Sequence, residues 1–311
     1  MTMDGIAIEV KNLVKRYGDG EAALSGVSFS VPRGALFAYL GVNGAGKSTT
    51  INILSSVLGK TSGEVRILGL DPDRHGDGIK RKTGIVFQSS VLDERLSVYD
   101  NLVIRAAFYG LRGRARKSRL DELSELLDLG PIINKPLRNL SGGQRRRADF
   151  ARGLINAPEI LYLDEPTTGL DPVTRRKVWE VIENIRKSRG TTVFLTTHYM
   201  EEAARADEAV IIDRGKIVAA GSPHELKERY SGDYVVLYRE KTAESDEALG
   251  RTGKPFRYES NAYRVLVSDA REALGLLCEL GEPGDFEVVK GNMDDVFLHA
   301  TGRTREEVEN Q

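Results

Sequence analysis

One stretch of the sequence has the residue types and the spacing of a phosphate-binding loop. Residues 41–48 read Gly-Val-Asn-Gly-Ala-Gly-Lys-Ser, which matches the pattern G-x-x-x-x-G-K-[ST] in full. The glycines of such a loop let the backbone wrap around phosphates, and its successive N–H groups point inward. Lys47 would reach the terminal phosphates, and the hydroxyl of Ser48 would hold Mg²⁺. The stretch therefore predicts a site for a nucleoside triphosphate and its metal.

A second glycine motif, Leu140-Ser-Gly-Gly-Gln144, opens a segment with a helical pattern. The free N–H groups and the positive dipole end at the start of a helix also form a site for an anion. Because the first loop already holds one nucleotide, we expect the second motif to contact the γ-phosphate of a nucleotide held by another copy. The two motifs together predict a dimer with ATP between its subunits.

The elements around the first loop are those that it requires. An apolar run at residues 35–40 leads into the loop, and a helical pattern at residues 47–58 follows it. Strand-like runs at residues 6–14 and 23–31, separated by Gly18-Asp-Gly20, predict an antiparallel layer that precedes the loop.

Further strand-like runs alternate with helical patterns along the chain. They lie at residues 63–68, 85–87, 160–163, 192–195 and 209–212. This alternation predicts an α/β fold with a largely parallel sheet covered on both faces. Between residues 98 and 140 the pattern is wholly helical, so we expect a helical insert at about residues 90–156.

The chain changes character after Tyr230. We predict that the α/β domain occupies residues 1–232 and that residues 233–311 form a small α+β accessory domain. Its predicted strands are residues 233–238, 258–267 and 286–289, and its predicted helices are residues 271–280 and 293–300. This segment has no clustered metal ligands and no nucleophile–base pair, so we expect a structural or dimer-contact role for it, with ligand sensing as the alternative.

The composition limits the kinds of partner. Lys and Arg number 45 against 46 Asp and Glu, which leaves a net charge of −1 and no overall attraction to nucleic acid. The basic run at residues 112–119 is expected to be a solvated helix face, because acidic residues follow it closely. The run at residues 145–147 resembles a nucleic-acid patch only in isolation, and we predict no nucleic-acid partner.

The single cysteine and the apolar runs bear on location. Cys278 cannot form an intrachain disulfide, which is consistent with a reducing compartment, and its apolar-periodic surroundings predict a core residue. The first residues contain no apolar core of signal-peptide length, and no later run approaches the roughly 20 residues that span a bilayer. Any membrane role is therefore expected to come through a partner.

Several motifs occur in one order along the chain, and in this order they resemble the ATP-binding subunit of an ABC transporter. The order is residues 41–49, Gln88, residues 140–144, Ile160-Leu-Tyr-Leu-Asp-Glu-Pro166, Gly169-Leu-Asp171 and His198. The phosphate-binding loop alone is shared with many unrelated ATPases and GTPases, whereas LSGGQ followed about twenty residues later by LYLDEP is far more specific. The resemblance covers residues 6 to about 230.

The resemblance implies a P-loop NTPase fold of the ABC ATPase kind, with an antiparallel layer and a helical insert. It also implies an ATP hydrolase that binds ATP and Mg²⁺, and a homodimer or a paired ATPase subunit. The partner would be a separate integral membrane permease, which would hold the chain on the cytoplasmic face of the membrane.

Four side chains at predicted strand ends receive roles from this resemblance. Asp164 ends an apolar run, from which its carboxylate would reach the Mg²⁺ held by Ser48, directly or through water. Glu165 points the other way from the strand end and suits a base that polarises the attacking water. His198 follows another strand, where ligands bind in open parallel sheets, and would contact the γ-phosphate. Gln88 would contact Mg²⁺ or the water and couple the site to the membrane partner. Read alone, Asp164 could equally be a strand-end cap, His198 an ordinary strand-end histidine and Gln88 a polar loop residue.

The remaining implied contacts are with the nucleotide. Tyr17 would stack on adenine, although it could instead pack on the sheet. The phosphates would be held by the loop residues Gly41, Val42, Asn43, Gly44, Ala45, Gly46, Lys47, Ser48 and Thr49. Contacts from the second copy would come from Ser141, Gly142, Gly143, Gln144 and Asp171. Because Asp171 precedes a proline, it is also a good helix N-cap.

Residues 36–50, residues 164–172 and the tail at residues 293–303 narrow the resemblance to one branch. They look like the daunorubicin-resistance branch of drug, antibiotic and lipid exporters. Val42 stands where a proline is common, and Ala148-Asp-Phe150 is unusual after the arginines, so these positions bear on the subfamily and not on ATP binding. Export is therefore expected, with a soluble ABC protein without a permease, or the ATPase of an importer, as the alternatives.

An apolar cluster follows Gln88 at the entry to the helical insert. Its members are Val91, Leu92, Leu96, Tyr99 and Leu102. We predict that a permease helix docks on this cluster, where it would sense the nucleotide through Gln88. The alternative is that these residues pack the insert onto the main domain.

Overall fold

The computed structural model describes residues 5–281, 283–304 and 307, in two units whose boundary lies between Ala220 and Gly221. The first unit contains a three-stranded antiparallel sheet of β1 (Ile6–Arg16), β2 (Ala22–Pro32) and β4 (Ser62–Ile67), in the order β2-β1-β4. The predicted antiparallel layer is confirmed. The run at residues 63–68 was wrongly expected in the parallel sheet: only Val65 and Ile67 of β4 are buried, an alternation typical of a sheet with one solvated face.

A six-stranded sheet forms the centre of the first unit, in the order β5-β6-β7-β3-β8-β9. Its strands are β3 (Leu36–Leu40), β5 (Thr83–Val86), β6 (Ile160–Asp164), β7 (Thr192–Thr197), β8 (Glu208–Asp213) and β9 (Lys216–Gly221). Every residue of β3, β6 and β7 is buried, and these strands pair in parallel, as predicted. The edge strand β9 was not predicted. Only Ala219 of this strand is buried, so its sequence shows no clear alternation of apolar and polar residues after the turn at Arg214 and Gly215.

The helices of the first unit are α1 (Lys47–Leu54), α2 (Pro72–Lys82), α3 (Val98–Phe108), α4 (Gly113–Leu126), α5 (Gly142–Leu154), α6 (Pro172–Arg189) and α7 (Met200–Ala203). The predicted helical insert is confirmed as α3 to α5. The first helix ends at Leu54 instead of residue 58, since Ser56 adopts a left-handed backbone conformation with φ 58°. Within the described residues, no helix is long and apolar enough to cross a bilayer.

The second unit contains a four-stranded antiparallel sheet in the order β11-β12-β10-β13. Its elements are α8 (Pro223–Tyr230), β10 (Asp233–Leu237), α9 (Ala243–Arg251), β11 (Phe256–Glu259), β12 (Ala262–Val267), α10 (Ala270–Leu280), β13 (Phe286–Val289) and α11 (Met293–Thr301). The unit begins with α8, ahead of residue 233, because α8 packs on α11 and the Tyr230 carbonyl lies 2.5 Å from His299 Nδ1.

Two predictions for the second unit were wrong. Residues 258–267 form two strands and not one, because Ser260 and Asn261 adopt left-handed conformations, with φ 50° and 61°, and turn the chain between β11 and β12. Cys278 is exposed and not in the core. Helix α10 buries the face that carries Ala273 and Leu276, and a residue two positions after Leu276 lies on the other side of a helix with 3.6 residues per turn.

Candidate active site

The phosphate-binding loop connects β3 to α1, as predicted. Gly46 is the N-cap of α1 and has φ 112°, a left-handed conformation that favours glycine. A Cβ atom on Gly46 would lie 2.8 Å from the carbonyl oxygen of Ala23, so this position also lacks room for a side chain. The loop therefore has the backbone freedom that close wrapping around phosphates requires.

Lys47 turns back into its own loop. Its Nζ atom donates to the carbonyl oxygens of Gly41 at 2.7 Å and Val42 at 3.2 Å. The same ammonium group lies 3.2 Å from Oε1 of Glu165, and its side chain is 5 % exposed. The lysine of the loop is thus placed beside the carboxylate that the sequence assigned as the base.

The predicted catalytic side chains meet at the carboxyl ends of β5, β6 and β7. These strands are parallel neighbours, so the residues that follow them lie at one edge of the sheet. The Nε2 atom of Gln88 donates to Oε2 of Glu165 at 3.3 Å, and Nδ1 of His198 lies 3.1 Å from the same oxygen. Glu165 is therefore the centre of a cluster that also contains Lys47.

The electrostatic environment of Glu165 favours its ionised form. The pKa of the carboxyl falls from 4.5 to about 2, and the neighbouring His198 is the main cause of this decrease. Burial of the carboxyl raises the pKa, and the positive charge of Lys47 lowers it further. The backbone of Glu165 has φ 46°, which is uncommon for a residue with a side chain and turns the chain sharply after β6. The carboxylate is thereby aimed toward the phosphate-binding loop.

Asp164 has a different environment, although it is the adjacent residue. Thr196 Oγ1 donates to its Oδ1 at 2.5 Å, and the Ser48 side chain hydrogen-bonds to the same carboxylate. Burial raises the pKa of Asp164, the hydrogen bonds lower it, and the charge of Glu165 raises it, with a net upward shift. A hydroxyl and a carboxylate oxygen in contact are the hard ligands that Mg²⁺ takes together with substrate phosphates, so these residues fit that ion.

Tyr17 lies at the rim of the loop. Its ring is 53 % exposed, with the ammonium of Lys15 5.2 Å from the ring centroid and its hydroxyl 3.4 Å from Oγ1 of Thr49. This exposure argues against the alternative, a ring packed on the sheet, and the stacking on adenine stays a prediction. An exposed ring beside the phosphate-binding loop is available to stack on a base.

The second glycine motif forms the N-terminus of α5. Ser141 is its N-cap, and a capping box joins Ser141 and Gln144 through bonds of 3.3 and 3.0 Å. Gly142 and Gly143 occupy the first turn, and their N–H groups have no acceptor within the described part of the chain. None of the hydrogen bonds of Ser141–Gln144 reaches the phosphate-binding loop of the same chain.

Asp171 is the N-cap of α6. Its carboxylate accepts from the backbone N–H groups of Val173 and Thr174, both at 3.0 Å, and from the Thr174 hydroxyl at 2.6 Å. Helix capping is therefore sufficient to explain an aspartate at this position, directly before Pro172. Its contact with a second copy stays a prediction.

Three further residues at this edge of the sheet were missed by sequence reasoning. Thr168 donates to Oε2 of Glu165 at 3.2 Å, Thr196 binds both Asp164 and the Glu165 backbone, and Arg146 donates to the carbonyl oxygen of Glu165. The threonines lie beside motifs and carried no signal of their own. Arg146 lies in a basic run of the sequence. The apolar residues Ala148, Phe150 and Leu154 on the same helix were the signal that could have predicted its burial.

Comparisons with known proteins place this chain among ATP-binding proteins of transporters. The family model for ABC transporters matches residues 24–168. The daunorubicin resistance ATP-binding protein DrrA3 of Streptomyces coeruleorubidus is 38 % identical over 97 % of this chain and 98 % of its own. The Nod factor export ATP-binding protein I of Ralstonia nicotianae is 37 % identical over 95 % of this chain and 94 % of its own.

Among solved structures, the chain is similar to the dimeric post-hydrolysis state of the ATP-binding cassette MJ0796 bound to ADP and Pi. The TM-score is 0.64 at 29 % identity, and the match covers 69 % of this chain and 98 % of the other. The structure of cbiO1 from Clostridium perfringens, part of a transporter complex, gives a TM-score of 0.68 at 28 % identity over 73 % of this chain and 92 % of the other.

Proposed function

The chain belongs to the ATP-binding proteins of ABC transporters, and we propose that it hydrolyses ATP to drive export through a separate membrane permease. It is an ATP hydrolase of the P-loop NTPase class. The observation that carries the proposal is the cluster in which Lys47, Gln88 and His198 surround the Glu165 carboxylate.

Each member of the cluster has a distinct task in phosphoryl transfer, which depends on positioning and on neutralising charge. Glu165 takes the part of the base that orients and polarises the attacking water. Gln88 and His198 hold the carboxylate from one side, and His198 also contacts the γ-phosphate. Lys47 moves its ammonium from Glu165 to the terminal phosphates when ATP enters.

The same exchange makes Glu165 a better base. A carboxyl with a pKa of about 2 is a poor proton acceptor at neutral pH, because a base works best when its pKa is close to the operating pH. When phosphate oxygens attract Lys47, the positive charge that helps to lower this pKa moves away from the carboxylate. ATP would thereby raise the pKa of the base that hydrolyses it.

The metal would be held by the oxygens of Ser48 and Asp164, with Gln88 as a further ligand. Mg²⁺ in such a site neutralises phosphate charge. The chain's own part is to keep Asp164 ionised, for which the hydrogen bonds from Thr196 and Ser48 are suited. Within the described residues, no group of three or more His, Cys, Asp or Glu side chains could hold a metal.

A second copy would complete each site. The unpaired N–H groups of Gly142 and Gly143 at the positive end of α5 suit the γ-phosphate of an ATP held by the partner. Asp171 would lie at the same subunit contact. The likeness to a dimeric cassette bound to ADP and Pi supports this arrangement.

The partner across the membrane would dock near the Gln88 segment. Val91 and Tyr99 are 56 % and 43 % exposed, and Phe108, at the end of α3, is 80 % exposed. Leu102 is fully buried, so it packs the insert and is not part of the docking surface. Attachment there would hold the chain on the cytoplasmic face of the membrane. One relative is named for daunorubicin resistance and another for Nod factor export, which favours export, and we propose a drug, an antibiotic or a lipid-like molecule as the cargo.

Reconstitution tests this proposal. The chain should be co-expressed with a multi-span membrane protein from a neighbouring reading frame, where one is found, and the purified complex placed in lipid vesicles. We expect ATP-dependent movement of an amphipathic fluorescent drug such as daunorubicin, and no movement with Glu165→Gln. A chain that hydrolyses ATP but associates with no membrane protein would contradict the transport part alone.

A further inference from the structure

Helix α5 carries three charged side chains that are buried. The exposed fractions are 6 % for Arg146, 4 % for Asp149 and 7 % for Arg152. They recur every three residues, so they lie along one face of the helix, which we call the α5 charged face. Buried charges are costly unless they are bonded, so their partners show what this face is for.

The partners lie on the segment that contains Gln88. Arg146 Nη1 donates to the carbonyl oxygens of Phe87 at 2.5 Å and Gln88 at 3.4 Å. The Ser90 hydroxyl donates to Oδ1 of Asp149 at 2.8 Å, and Arg152 Nη2 donates to the Ile85 carbonyl at 2.6 Å. The α5 charged face is therefore bonded to residues 85–90 at four points.

The close approach of α5 to β5 makes these bonds possible. A Cβ atom on Gly84 would lie 2.0 Å from the carbonyl oxygen of Gly153, and one on Gly153 would lie 2.9 Å from the Val86 side chain. Two glycines thus face each other where the helix crosses the strand. Larger residues at either position would push α5 away from the carbonyl groups that its arginines reach.

Arg146 also binds the loop that carries the base. Its Nε donates to the carbonyl oxygen of Pro166 at 2.6 Å, and its Nη2 donates to that of Glu165 at 3.3 Å. All three nitrogens of the guanidinium are engaged. A left-handed backbone such as that of Glu165 persists only when its surroundings hold it. Arg146 binds the carbonyl group of this strained residue and that of the next residue, Pro166.

We propose that Arg146 is a positioning residue that holds the Gln88 segment and the Glu165 loop together, with Asp149 and Arg152 fastening the first of these to α5. Because Ser141 caps α5 and Gly142 and Gly143 form its first turn, the same helix carries the motif directed at the second nucleotide. Displacement of α5 on contact with that nucleotide would be transmitted to Gln88 and Glu165 through Arg146. This rests on the proposed role of Glu165 as the base.

The chemistry of arginine is specific for this task. Its planar guanidinium presents five N–H donors in a fixed fork, so one side chain can bind carbonyl groups of two segments at once. A lysine keeps the charge but has no such fork. Acidic neighbours, Asp149 first, partly offset the burial that lowers the pKa of Arg146.

Steady-state ATPase assays on the full chain test the proposal, with Arg146→Met, Arg146→Lys and Arg119→Met compared with wild type. Arg119 is the matched control, because its guanidinium is also largely buried and donates to two carbonyl oxygens, those of Leu154 and Ile155, at the other end of α5. It contacts neither Gln88 nor Glu165.

We expect Arg146→Met to lower kcat about 10- to 100-fold, the loss typical of catalytic groups misplaced by about 1 Å, with little change in KM for ATP. Arg146→Lys should fall between Arg146→Met and wild type. Arg119→Met should lower the melting temperature but keep kcat. An Arg146→Met chain that has the kcat of Arg119→Met overturns the proposal.

Two controls separate a failure of folding, or of the assigned base, from a failure of the positioning role. Should Arg146→Met fail to fold, Arg146→Lys decides, and a wild-type kcat in that variant overturns the proposal. Glu165→Gln is assayed in the same series: if it hydrolyses ATP as wild type does, the assignment of the base has failed. If it is slow while Arg146→Met is normal, only the positioning role has failed.

Discussion

The ammonium group of Lys47 lies 3.2 Å from the carboxylate of Glu165, so the residue expected to bind the phosphates is paired with the residue expected to activate the water. Both side chains are buried, with 5 % and 8 % exposed, which strengthens the pairing relative to one in water. If Lys47 binds the phosphates as proposed, ATP replaces a carboxylate with phosphate oxygens at its ammonium group. The exchange links substrate binding to the state of the base.

The first prediction concerns acid stability. The folded pKa of Glu165 is about 2 and the ordinary value is 4.5, so its contribution to the free energy of unfolding is complete above pH 4.5 and is lost as the pH falls toward 2. Glu165→Gln has no such titration. The difference in free energy of unfolding between wild type and Glu165→Gln should therefore shrink across this window, as measured by urea unfolding at several pH values. A constant difference would contradict the pairing of Glu165 with His198 and Lys47.

The second prediction concerns the shared site. A Ser141→Asp chain keeps an N-cap on α5 but places a negative charge where a γ-phosphate would bind, and a Lys47→Ala chain loses its own phosphate-binding lysine. Each homodimer should be inactive. A mixture should recover activity, because a heterodimer has one site with an intact loop and an intact Ser141 motif. ATPase activity that stays absent at every mixing ratio would count against sites shared between subunits.

The third prediction concerns the docking surface. Tyr99→Glu and Leu102→Glu place the same charge three residues apart on α3, one at an exposed position and one in the core. Tyr99→Glu should lose co-purification with the permease while the melting temperature and basal ATPase activity hold. Leu102→Glu should lower stability by more than about 2 kcal/mol, because it buries an unpaired charge. A Tyr99→Glu chain that still binds the permease would place the docking surface elsewhere.

Much of the site could be predicted from the sequence because its residues are local to strand ends. The phosphate-binding loop, Asp164, Glu165 and His198 each follow an apolar run, and parallel strands bring such ends together. Gln88 lies beside Glu165 because β5 and β6 are neighbours in the sheet. The sequence alone does not give this strand order, which is implied only by the resemblance to the family.

Arg146 could not be predicted in this way. Its acceptors are backbone carbonyl groups 59 and 20 residues away in sequence, and carbonyl groups carry no residue-type signal. The β4 strand was misassigned for a related reason, since a short apolar run does not tell which sheet it joins. The Ser260-Asn261 turn was missed because it interrupts an otherwise regular strand pattern with only two residues.

The most direct test of the account is ATP hydrolysis by Glu165→Gln at saturating MgATP. The variant should bind ATP as wild type does but hydrolyse it about 10²–10⁴-fold more slowly, the usual contribution of a general base. Lys47→Ala, measured beside it, should lose ATP binding itself, because its ammonium holds the phosphates. Equal turnover of wild type and Glu165→Gln, with ATP bound to both, would contradict the central claim that the carboxylate beside Lys47 activates the water.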